Sequence, residues 1–245
     1  MRSLNRDWQM KPIYKRVLLK LSGEGLSGDD GNGINMSAVC KVAGEIAEIN
    51  RLGVQVGVVV GGGNFFRGAK NVSKVMDRSQ ADQIGMLATV MNAVALKSVL
   101  QNSGCKAEVF SGLSIPQMCE NYNFNKAYKA LNDECVVIFA GGTGNPYFTT
   151  DTGAVLRAVE MHCDIMLKST QVDGVYDSDP RINPQAKRFD EISFAEVLQK
   201  QLNVLDMTAA AMARDNNMPV MIFKQSTDNS IIEAVCGKVK CTVIK

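Results

Sequence analysis

Short apolar runs alternate with amphipathic stretches along most of the chain. Runs of roughly four to eight residues that are rich in Val, Ile and Leu have the length of buried strands. Such runs occupy residues 14–21, 54–60, 106–110, 135–140, 164–168, 219–223 and 241–244. Stretches with apolar residues three and four positions apart are typical of amphipathic helices. These stretches occupy residues 36–51, 81–101, 125–131, 152–162, 193–199, 207–216 and 231–236.

The alternation of strands and helices predicts an α/β protein. Strand–helix–strand units place parallel strands in one sheet and helices on both of its faces. We therefore predict a single-domain three-layer αβα sandwich around a mainly parallel sheet, formed by residues 14–245. Residues 1–13 are polar and lack the apolar centre of a signal peptide, so we predict a flexible N-terminal extension.

Composition narrows the classes of function. The 245-residue chain has a formal net charge of +2, which gives no electrostatic argument for binding nucleic acid or an anionic membrane. No apolar run approaches the roughly 20 residues that span a bilayer. Seven scattered cysteines without a CxxC motif favour reduced thiols, and the only histidine, His162, has no second metal ligand at a suitable spacing. We therefore expect a soluble, cytoplasmic protein in which His162 has a structural role.

Three glycine-rich segments follow predicted strands, at residues 21–33, 61–68 and 141–151. Because glycine lets backbone N–H groups approach an anion closely, we expect these segments to bind phosphates at the carboxyl edge of the sheet. A plain strand-to-helix connection is the alternative for the third segment. The first segment satisfies GxGxxG, but the DDGNG that follows breaks the helix that a dinucleotide-binding fingerprint requires.

Charged residues at the same predicted edge suit phosphoryl transfer. They are Lys20, Arg67, Lys168, Asp82, Asp151 and Asp206. Phosphoryl transfer depends on cations and N–H groups that offset the charge of the transferring group, and Mg²⁺ bound to ATP adds further positive charge. The sequence contains no P-loop, protein-kinase or GxSxG motif. For Asp82, two interpretations stay open: a partner of the helix dipole, or a carboxylate that binds sugar hydroxyls.

Four motifs resemble those of a known family. KLSGE at residues 20–24, GGGNFFRG at 61–68, TGNPYFTTD at 143–151 and LKSTQVDGVYDSDP at 167–180 are similar to motifs of the amino acid kinase superfamily. Together with the DQIGMLA context of Asp82, they resemble its bacterial-type UMP kinase branch. The resemblance implies transfer of the γ-phosphoryl group of ATP to UMP in pyrimidine nucleotide biosynthesis, with Mg²⁺ accompanying ATP and no metal ligands assigned in the protein.

The resemblance also implies roles for individual residues. Those expected to act in catalysis are Lys20, Arg67, Asp151, Lys168 and Asp206. Those expected at ATP are Lys20, Leu21, Ser22, Gly23, Gly63, Arg67, Thr170, Tyr176 and Asp179. Those expected at UMP are Gly62, Asp82, Thr143, Gly144, Asn145, Pro146, Tyr147, Phe148, Thr149 and Thr150. Within these sets Asp82 would bind the ribose hydroxyls, and Asp151 and Asp206 would position Lys20 and the metal ion.

Members of this family are typically homohexamers that GTP activates and UTP inhibits. Strongly GTP-responsive members tend to carry an Arg and a His where this chain has Lys97 and Gln101, and often a Trp where it has Phe124. Expected basic positions near Glu108 and Cys135 are not basic either. These departures leave the catalytic set intact, and a GTP response and its absence both stay open.

Two other functions are compatible with the same pattern. A superfamily kinase acting on an acyl or carbamoyl acceptor would lack the Asp82 context and would prefer a carboxylate clamp to TGNPYFTT. A non-catalytic nucleotide- or oxyanion-binding protein on the same fold would be indicated by loss of Lys20, Arg67 or Asp151, and all three residues are present.

Overall fold

The structure of the chain is a computed structural model that describes residues 11–28, 31–66, 76–202, 204–225 and 229–245. Its strands are β1 (Arg16–Leu21), β2 (Gln55–Val60), β3 (Ala107–Ser111), β4 (Glu120–Asn121), β5 (Val136–Ala140), β6 (Ile165–Thr170), β7 (Val175–Tyr176), β8 (Arg188–Phe189), β9 (Glu191–Ile192), β10 (Val220–Lys224) and β11 (Cys241–Ile244). Its α-helices are α1 (Met36–Arg51), α2 (Arg78–Asn102), α3 (Phe124–Asn132), α4 (Thr150–Glu160), α5 (Phe194–Gln199), α6 (Met207–Asp215) and α7 (Ser230–Val235). A 3₁₀ turn covers Gly23–Leu26, soon after β1.

Most of the strands form one nine-stranded sheet, in the order β4-β3-β5-β2-β1-β6-β10-β11-β9. Across the described ranges, neighbouring strands of this sheet run parallel except β10 and β11, which are antiparallel. Strands β7 and β8 form a separate antiparallel pair. Because β5, β2, β1 and β6 are parallel neighbours, their carboxyl ends lie side by side, and the segments that follow them can meet there.

Helices cover both faces of the sheet. On β1, Val17 and Leu19 pack into one hydrophobic cluster and Leu18 packs into the other, as the two-residue period of a strand requires. The first cluster includes side chains of α1, α2 and α7, and the second includes side chains of α3, α4, α5 and α6. The predicted α/β fold, a three-layer αβα sandwich around a mainly parallel sheet, is confirmed.

The predicted elements agree with the structure to within a few residues. Strands β4, β7, β8 and β9 were not predicted, because each has only two residues and shows no alternating pattern. One of them, β7, lies within the LKSTQVDGVYDSDP motif at residues 167–180. Ile13, placed in the predicted extension, donates its N–H to the Val235 carbonyl at 3.1 Å, and residues 1–10 lie outside the described part of the chain.

Helix α2 begins earlier than its apolar pattern predicts. Asp77 caps the helix by accepting a hydrogen bond from the Ser79 N–H at 2.8 Å, so Arg78 is the first helical residue. Asp82 therefore lies beyond the first turn, where the field of the helix dipole is weak. The structure therefore argues against the interpretation of Asp82 as a partner of the helix dipole.

Helix α2 was predicted from Ile84, Leu87, Ala88, Met91, Val94 and Ala95, and the four large residues of this set face outward, whereas Ala88 is buried. Ile84, Leu87, Met91 and Val94 are 38%, 49%, 46% and 37% exposed, whereas Met86 is buried. By length and composition α2 could also cross a membrane, with a mean hydropathy of 1.4 over 18 residues. Half of that window is buried inside the fold, as in a core helix, and polar residues interrupt the helix, so it is not the continuous apolar run that the sequence lacks.

Candidate active site

Lys20 and Lys168 are direct neighbours on adjacent parallel strands. They are register partners on β1 and β6, and both ammonium groups reach the carboxylate of Asp151 in the first turn of α4. Lys20 Nζ lies 2.9 Å from Oδ1 of Asp151, and Lys168 Nζ lies 2.5 Å from Oδ2. All three side chains are between 11% and 13% exposed. One largely buried carboxylate thus fixes two cations near the carboxyl edge of the sheet.

The charges of this group depend on one another. Burial on its own raises the pKa of the Asp151 carboxyl, but attraction to Lys20 and Lys168 more than offsets it, so the pKa lies below its usual value. Burial lowers the pKa of the Lys168 ammonium, and Asp151 opposes that shift without cancelling it. Asp151 therefore stays ionised at neutral pH and holds both lysines in place.

Asp206 connects the start of α4 to the start of α6. Its carboxylate accepts hydrogen bonds from Thr149 Oγ1 at 2.5 Å and from Thr152 Oγ1 at 2.9 and 3.0 Å, and it caps α6. Nearby, Lys168 Nζ donates to the Val204 carbonyl at 2.5 Å. Residues 204–206 thus hold both Lys168 and the turn of α4 that carries Asp151.

Two of the glycine-rich segments touch each other beside Lys20. The Gly61 N–H donates to the Leu21 carbonyl at 2.9 Å. A Cβ atom on Gly23 would lie 2.4 Å from Asn64 Oδ1 and 2.8 Å from the Gly61 carbonyl, so only glycine permits this approach. Ser22 caps the 3₁₀ turn by accepting from the Gly25 N–H at 3.2 Å. The two segments and Lys20 together form the kind of backbone cradle that binds phosphate.

A cavity of about 150 Å³ lies between the second and third glycine-rich segments. Its walls include Gly62, Asp82, Gly142, Thr143 and Thr150. Glycine backbone, neutral hydroxyls and one carboxylate suit a polar ligand that carries both a phosphate and a sugar.

Asp82 joins α2 to the third glycine-rich segment at this cavity. Arg78 Nε donates to both of its carboxylate oxygens, at 2.9 and 2.8 Å, and the Tyr147 N–H donates to Oδ2 at 2.8 Å. Tyr147 has a φ of +70°, an unfavourable conformation for an aromatic residue. The hydrogen bond to Asp82 helps to hold that conformation.

The chain is similar over nearly its whole length to proteins of a known family. Residues 15–224 match the sequence pattern described as the amino acid kinase family. The uridylate kinases of Mannheimia succiniciproducens and Brucella anthropi are each 47% identical to the chain over 234 residues. These alignments cover 96% of the chain and 99% and 98% of the two relatives. The chain belongs to the amino acid kinase family, among its uridylate kinases.

Solved structures of this family have the same fold as the chain. A UMP kinase from Ureaplasma parvum superposes with a TM-score of 0.90 at 37% identity, covering 94% of this chain and 98% of the other. A UMP kinase from Bacillus anthracis superposes with a TM-score of 0.90 at 36% identity, covering 95% and 96%.

In this amino acid kinase, most residues expected at UMP line the cavity. Those that do are Gly62, Asp82, Thr143, Asn145, Phe148, Thr149 and Thr150, and Gly63, expected at ATP, lines it as well. Gly144 instead packs so closely on Gly112 that a Cβ on Gly144 would lie 2.7 Å from the Gly112 carbonyl oxygen. Tyr147 donates its N–H to Asp82, and Pro146, which precedes Tyr147 in the loop, is half-buried. Arg67 lies outside the described residues.

The three other residues expected at ATP lie after Lys168 along the chain. Thr170 Oγ1 donates a hydrogen bond to the carbonyl of Val172, two residues further on. Tyr176 Oη donates to Asp173 at 2.6 Å, and Asp179 pairs with Arg181 at 2.7 Å. The hydrogen bond to Asp173 raises the pKa of Tyr176, and the hydrogen bonds from Arg181 lower the pKa of Asp179 to about 2. Thr170 lies on the same strand as Lys168, two residues further on, whereas Tyr176 and Asp179 bond to residues of the segment that follows this strand.

Sequence reasoning missed three buried polar residues that contact the glycine-rich segments. Asn64, Thr89 and Asn92 are 1%, 3% and 0% exposed. Thr89 and Asn92 lie on the buried face of α2, where the helical period calls for apolar residues. A polar residue at such a position must find hydrogen-bond partners, and this was the available signal.

Proposed function

We propose that this chain transfers the γ-phosphoryl group of ATP to UMP, forming UDP and ADP for pyrimidine nucleotide biosynthesis. One observation carries the proposal: Lys20 and Lys168 flank Asp151 beside two glycine-rich segments. The uridylate kinases among the relatives and the UMP kinases among the similar structures support this pair of substrates.

The two lysines would supply the positive charge that the reaction needs. The transferring phosphoryl group spreads its charge over three equatorial oxygens, and two phosphorylated substrates repel each other until cations offset that charge. Lys20 stands beside the first glycine-rich segment and would contact the ATP phosphates. Lys168, its register partner, would stabilise the transferring group. Arg67 would add a third cation.

Asp151 would position the lysines and would not remove a proton. The attacking atom is a phosphate oxygen of UMP, and a phosphate monoester has a second pKa of about 6, so at neutral pH it is already ionised. The lowered pKa of Asp151 also makes its carboxylate a weak base. Asp206 would support Asp151 through Thr149 and Thr152.

The cavity beside Asp82 would bind UMP. The carboxylate oxygens of Asp82 keep further lone pairs after accepting hydrogen bonds from Arg78 and Tyr147. These lone pairs could accept hydrogen bonds from the ribose hydroxyls. The segment from Thr143 to Thr150 offers hydroxyl, amide and backbone groups to the phosphate, and Phe148 offers an aromatic face to the base.

ATP would bind on the side of the first glycine-rich segment. Backbone groups of Leu21, Ser22, Gly23 and Gly63 would meet the phosphates, as in other glycine-rich phosphate sites. Thr170, Tyr176 and Asp179 would hold the adenine and its ribose. Since Asp179 already pairs with the exposed Arg181, the ribose would share that carboxylate or displace the arginine.

Mg²⁺ would enter with ATP. The described ranges contain no group of three or more His, Cys, Asp or Glu that could hold a metal ion, and both Asp151 and Asp206 are already engaged by lysines or hydroxyls. The donor set therefore fits an ion that keeps phosphate and water ligands. Bound in this way, Mg²⁺ would neutralise part of the phosphate charge.

The proposal also covers the oligomeric state of the protein and its location in the cell. The exposed stripe Ile84, Leu87, Met91 and Val94 supports a homo-oligomer, for which we propose a homohexamer. All seven cysteines are free thiols, four of them buried, as expected in the reducing cytoplasm.

Regulation would act at a separate groove of about 870 Å³. It brings together Lys97, Gln101, Glu108 and Cys135, the positions where the sequence departs from strongly GTP-responsive members. The groove carries four lysines against three carboxylates, so its attraction for a triphosphate is weak. We therefore expect GTP to change turnover by less than about fivefold, the lower end of typical allosteric coupling, and UTP to inhibit by competing at the UMP cavity.

A coupled ADP-release assay tests the function. It would offer ATP and Mg²⁺ with UMP, CMP, dUMP, acetylglutamate or carbamate in parallel, with and without GTP. Turnover that strongly prefers UMP would support the proposal. Turnover with acetylglutamate or carbamate would indicate the other kinase class, and nucleotide binding without any turnover would indicate a non-catalytic binding protein.

A further inference from the structure

One face of α2 touches both segments that would hold the reacting phosphates. Asp82, Gly85, Thr89 and Asn92 follow one another at spacings of three, four and three residues, so they share one face of the helix. This face lies opposite to the exposed apolar stripe of the same helix. Gly62 packs directly against it, since a Cβ on Gly62 would lie 2.6 Å from the Gly85 carbonyl.

Thr89 ties the third glycine-rich segment to this face. Its Oγ1 accepts a hydrogen bond from the Gly141 N–H at 2.8 Å and donates to the Met86 carbonyl, one turn back, at 2.7 Å. Gly141 has a φ of +72°, and it begins the segment that leads to the UMP cavity and Asp151. Thr89 is only 3% exposed, so water cannot readily take the place of its hydroxyl as the hydrogen-bond acceptor.

Asn92 ties the second glycine-rich segment to the same face, one turn further along. Its Nδ2 donates to the Gly61 carbonyl at 2.7 Å and to Asn64 Oδ1 at 2.8 Å. Asn64 Nδ2 donates back to Asn92 Oδ1 at 3.0 Å and to the Gly33 carbonyl at 2.7 Å. All four N–H donors of the two amides are therefore used, in a pair that is buried completely.

We infer that Thr89 and Asn92 are positioning residues that set the separation between the donor phosphates and the acceptor phosphate. The inference rests on the proposed function, which assigns Gly63, in the segment that Asn92 holds, to the ATP phosphates, and assigns Gly62 and the segment after Gly141 to UMP. A rigid helix joins the two segments through one hydroxyl and one amide pair. In-line transfer requires close alignment of the two reacting groups, and a misplacement of about 1 Å can cost about 100-fold in rate.

The matched pair Thr89→Val and Thr89→Ser tests the role of the hydroxyl. Valine keeps the shape of threonine but leaves the Gly141 N–H without its acceptor, whereas serine keeps the acceptor. We expect Thr89→Val to lower kcat by about 10- to 100-fold, with KM for ATP and for UMP within about threefold of the unaltered chain. Thr89→Ser should rescue most of the lost kcat.

Asn92→Ala provides the second arm, with Asn50→Ala as its control. Asn50 Nδ2 also donates to two backbone carbonyls, of Val54 and Glu134, both at 3.3 Å, but it does not contact the glycine-rich segments. We expect both variants to unfold at lower temperature and only Asn92→Ala to lose kcat, again by about 10- to 100-fold. If Thr89→Val does not fold, the comparison of Asn92→Ala with Asn50→Ala alone tests the inference.

Three results would overturn the inference. One is an unchanged kcat in Asn92→Ala, another is an equal loss of kcat in Asn50→Ala, and the third is a loss in Thr89→Ser as large as in Thr89→Val. Failure of the proposed function looks different, because the unaltered chain would then not turn over UMP in the same assay.

Discussion

Lys168 Nζ lies 2.5 Å from Oδ2 of Asp151, and both side chains are largely buried. Lys20 takes the other oxygen of the same carboxylate, so a single negative charge holds two cations that would otherwise repel each other. The relationship predicts that Asp151 matters for folding as well as for turnover.

Asp151→Asn should therefore lower both stability and turnover. Removing one partner of a buried ion pair typically costs about 3–5 kcal/mol, because the remaining charge stays buried and unpaired. We expect a loss of that order in the free energy of unfolding, measured by urea titration, and a fall in kcat of at least about 100-fold from misplaced lysines. Glu48→Gln is the control, because its ion pair with Arg51 is exposed and should cost about 0–1 kcal/mol. Equal urea midpoints for the two variants would contradict the role assigned to Asp151.

Lys168 should set the alkaline limit of activity in the free protein. Burial holds its pKa below the ordinary lysine value of 10.5, so it loses its proton, and with it the charge needed for transfer, at a lower pH than an exposed lysine. In that pH window the unfolded chain binds more protons than the folded one, so stability rises with pH while kcat/KM falls.

The variant Lys168→Arg tests this assignment, because a guanidinium stays charged over the accessible pH range. We expect a lower kcat/KM with no alkaline limb, measured as a pH profile of ADP release. Lys20→Arg, made at the register partner, should keep the limb. An unchanged alkaline limb in Lys168→Arg would assign it to another group.

Much of the fold could be predicted because local patterns and tertiary structure agree. The strand at Arg16–Leu21 and the helix at Met36–Arg51 show the periods that their burial requires. On α2 the same reasoning found the helix but did not separate the residues that lie in the core from those on the exposed face. An apolar stripe indicates a face that avoids water, and the covering surface need not belong to the same chain.

The site could be predicted only as a set of residue types at strand ends. Lys20, Asp151 and Lys168 were expected at one edge, and the structure brings them together. Asp206 was expected at the same edge too, but the hydrogen bond that it accepts from Thr152 was not predicted. The two residues are 54 positions apart, and no local pattern encodes a contact of that kind.

Asp82→Asn should weaken UMP binding much more than ATP binding. A hydrogen bond to a charged group contributes about 1.5–3 kcal/mol, so loss of the carboxylate should raise KM for UMP by at least about 10-fold. KM for ATP, measured in the same assay at saturating UMP, should stay within about threefold. Asp77→Asn is the control, because it alters the nearby cap of α2 without touching the cavity. An equal rise in both KM values would count against a ribose-binding role for Asp82.

Leu87→Glu should reduce the size of the assembly without unfolding the protein. Leu87 is 49% exposed at the centre of the stripe formed by Ile84, Leu87, Met91 and Val94. Burying an unpaired carboxylate against an apolar partner is costly, and a two-fold symmetric contact would incur that cost twice. We expect sedimentation to show a smaller species than the unaltered chain forms, with an unchanged circular dichroism spectrum. Leu52→Glu, at an exposed leucine outside the stripe, should leave the assembly intact, and the same size for both variants would remove α2 from the interface.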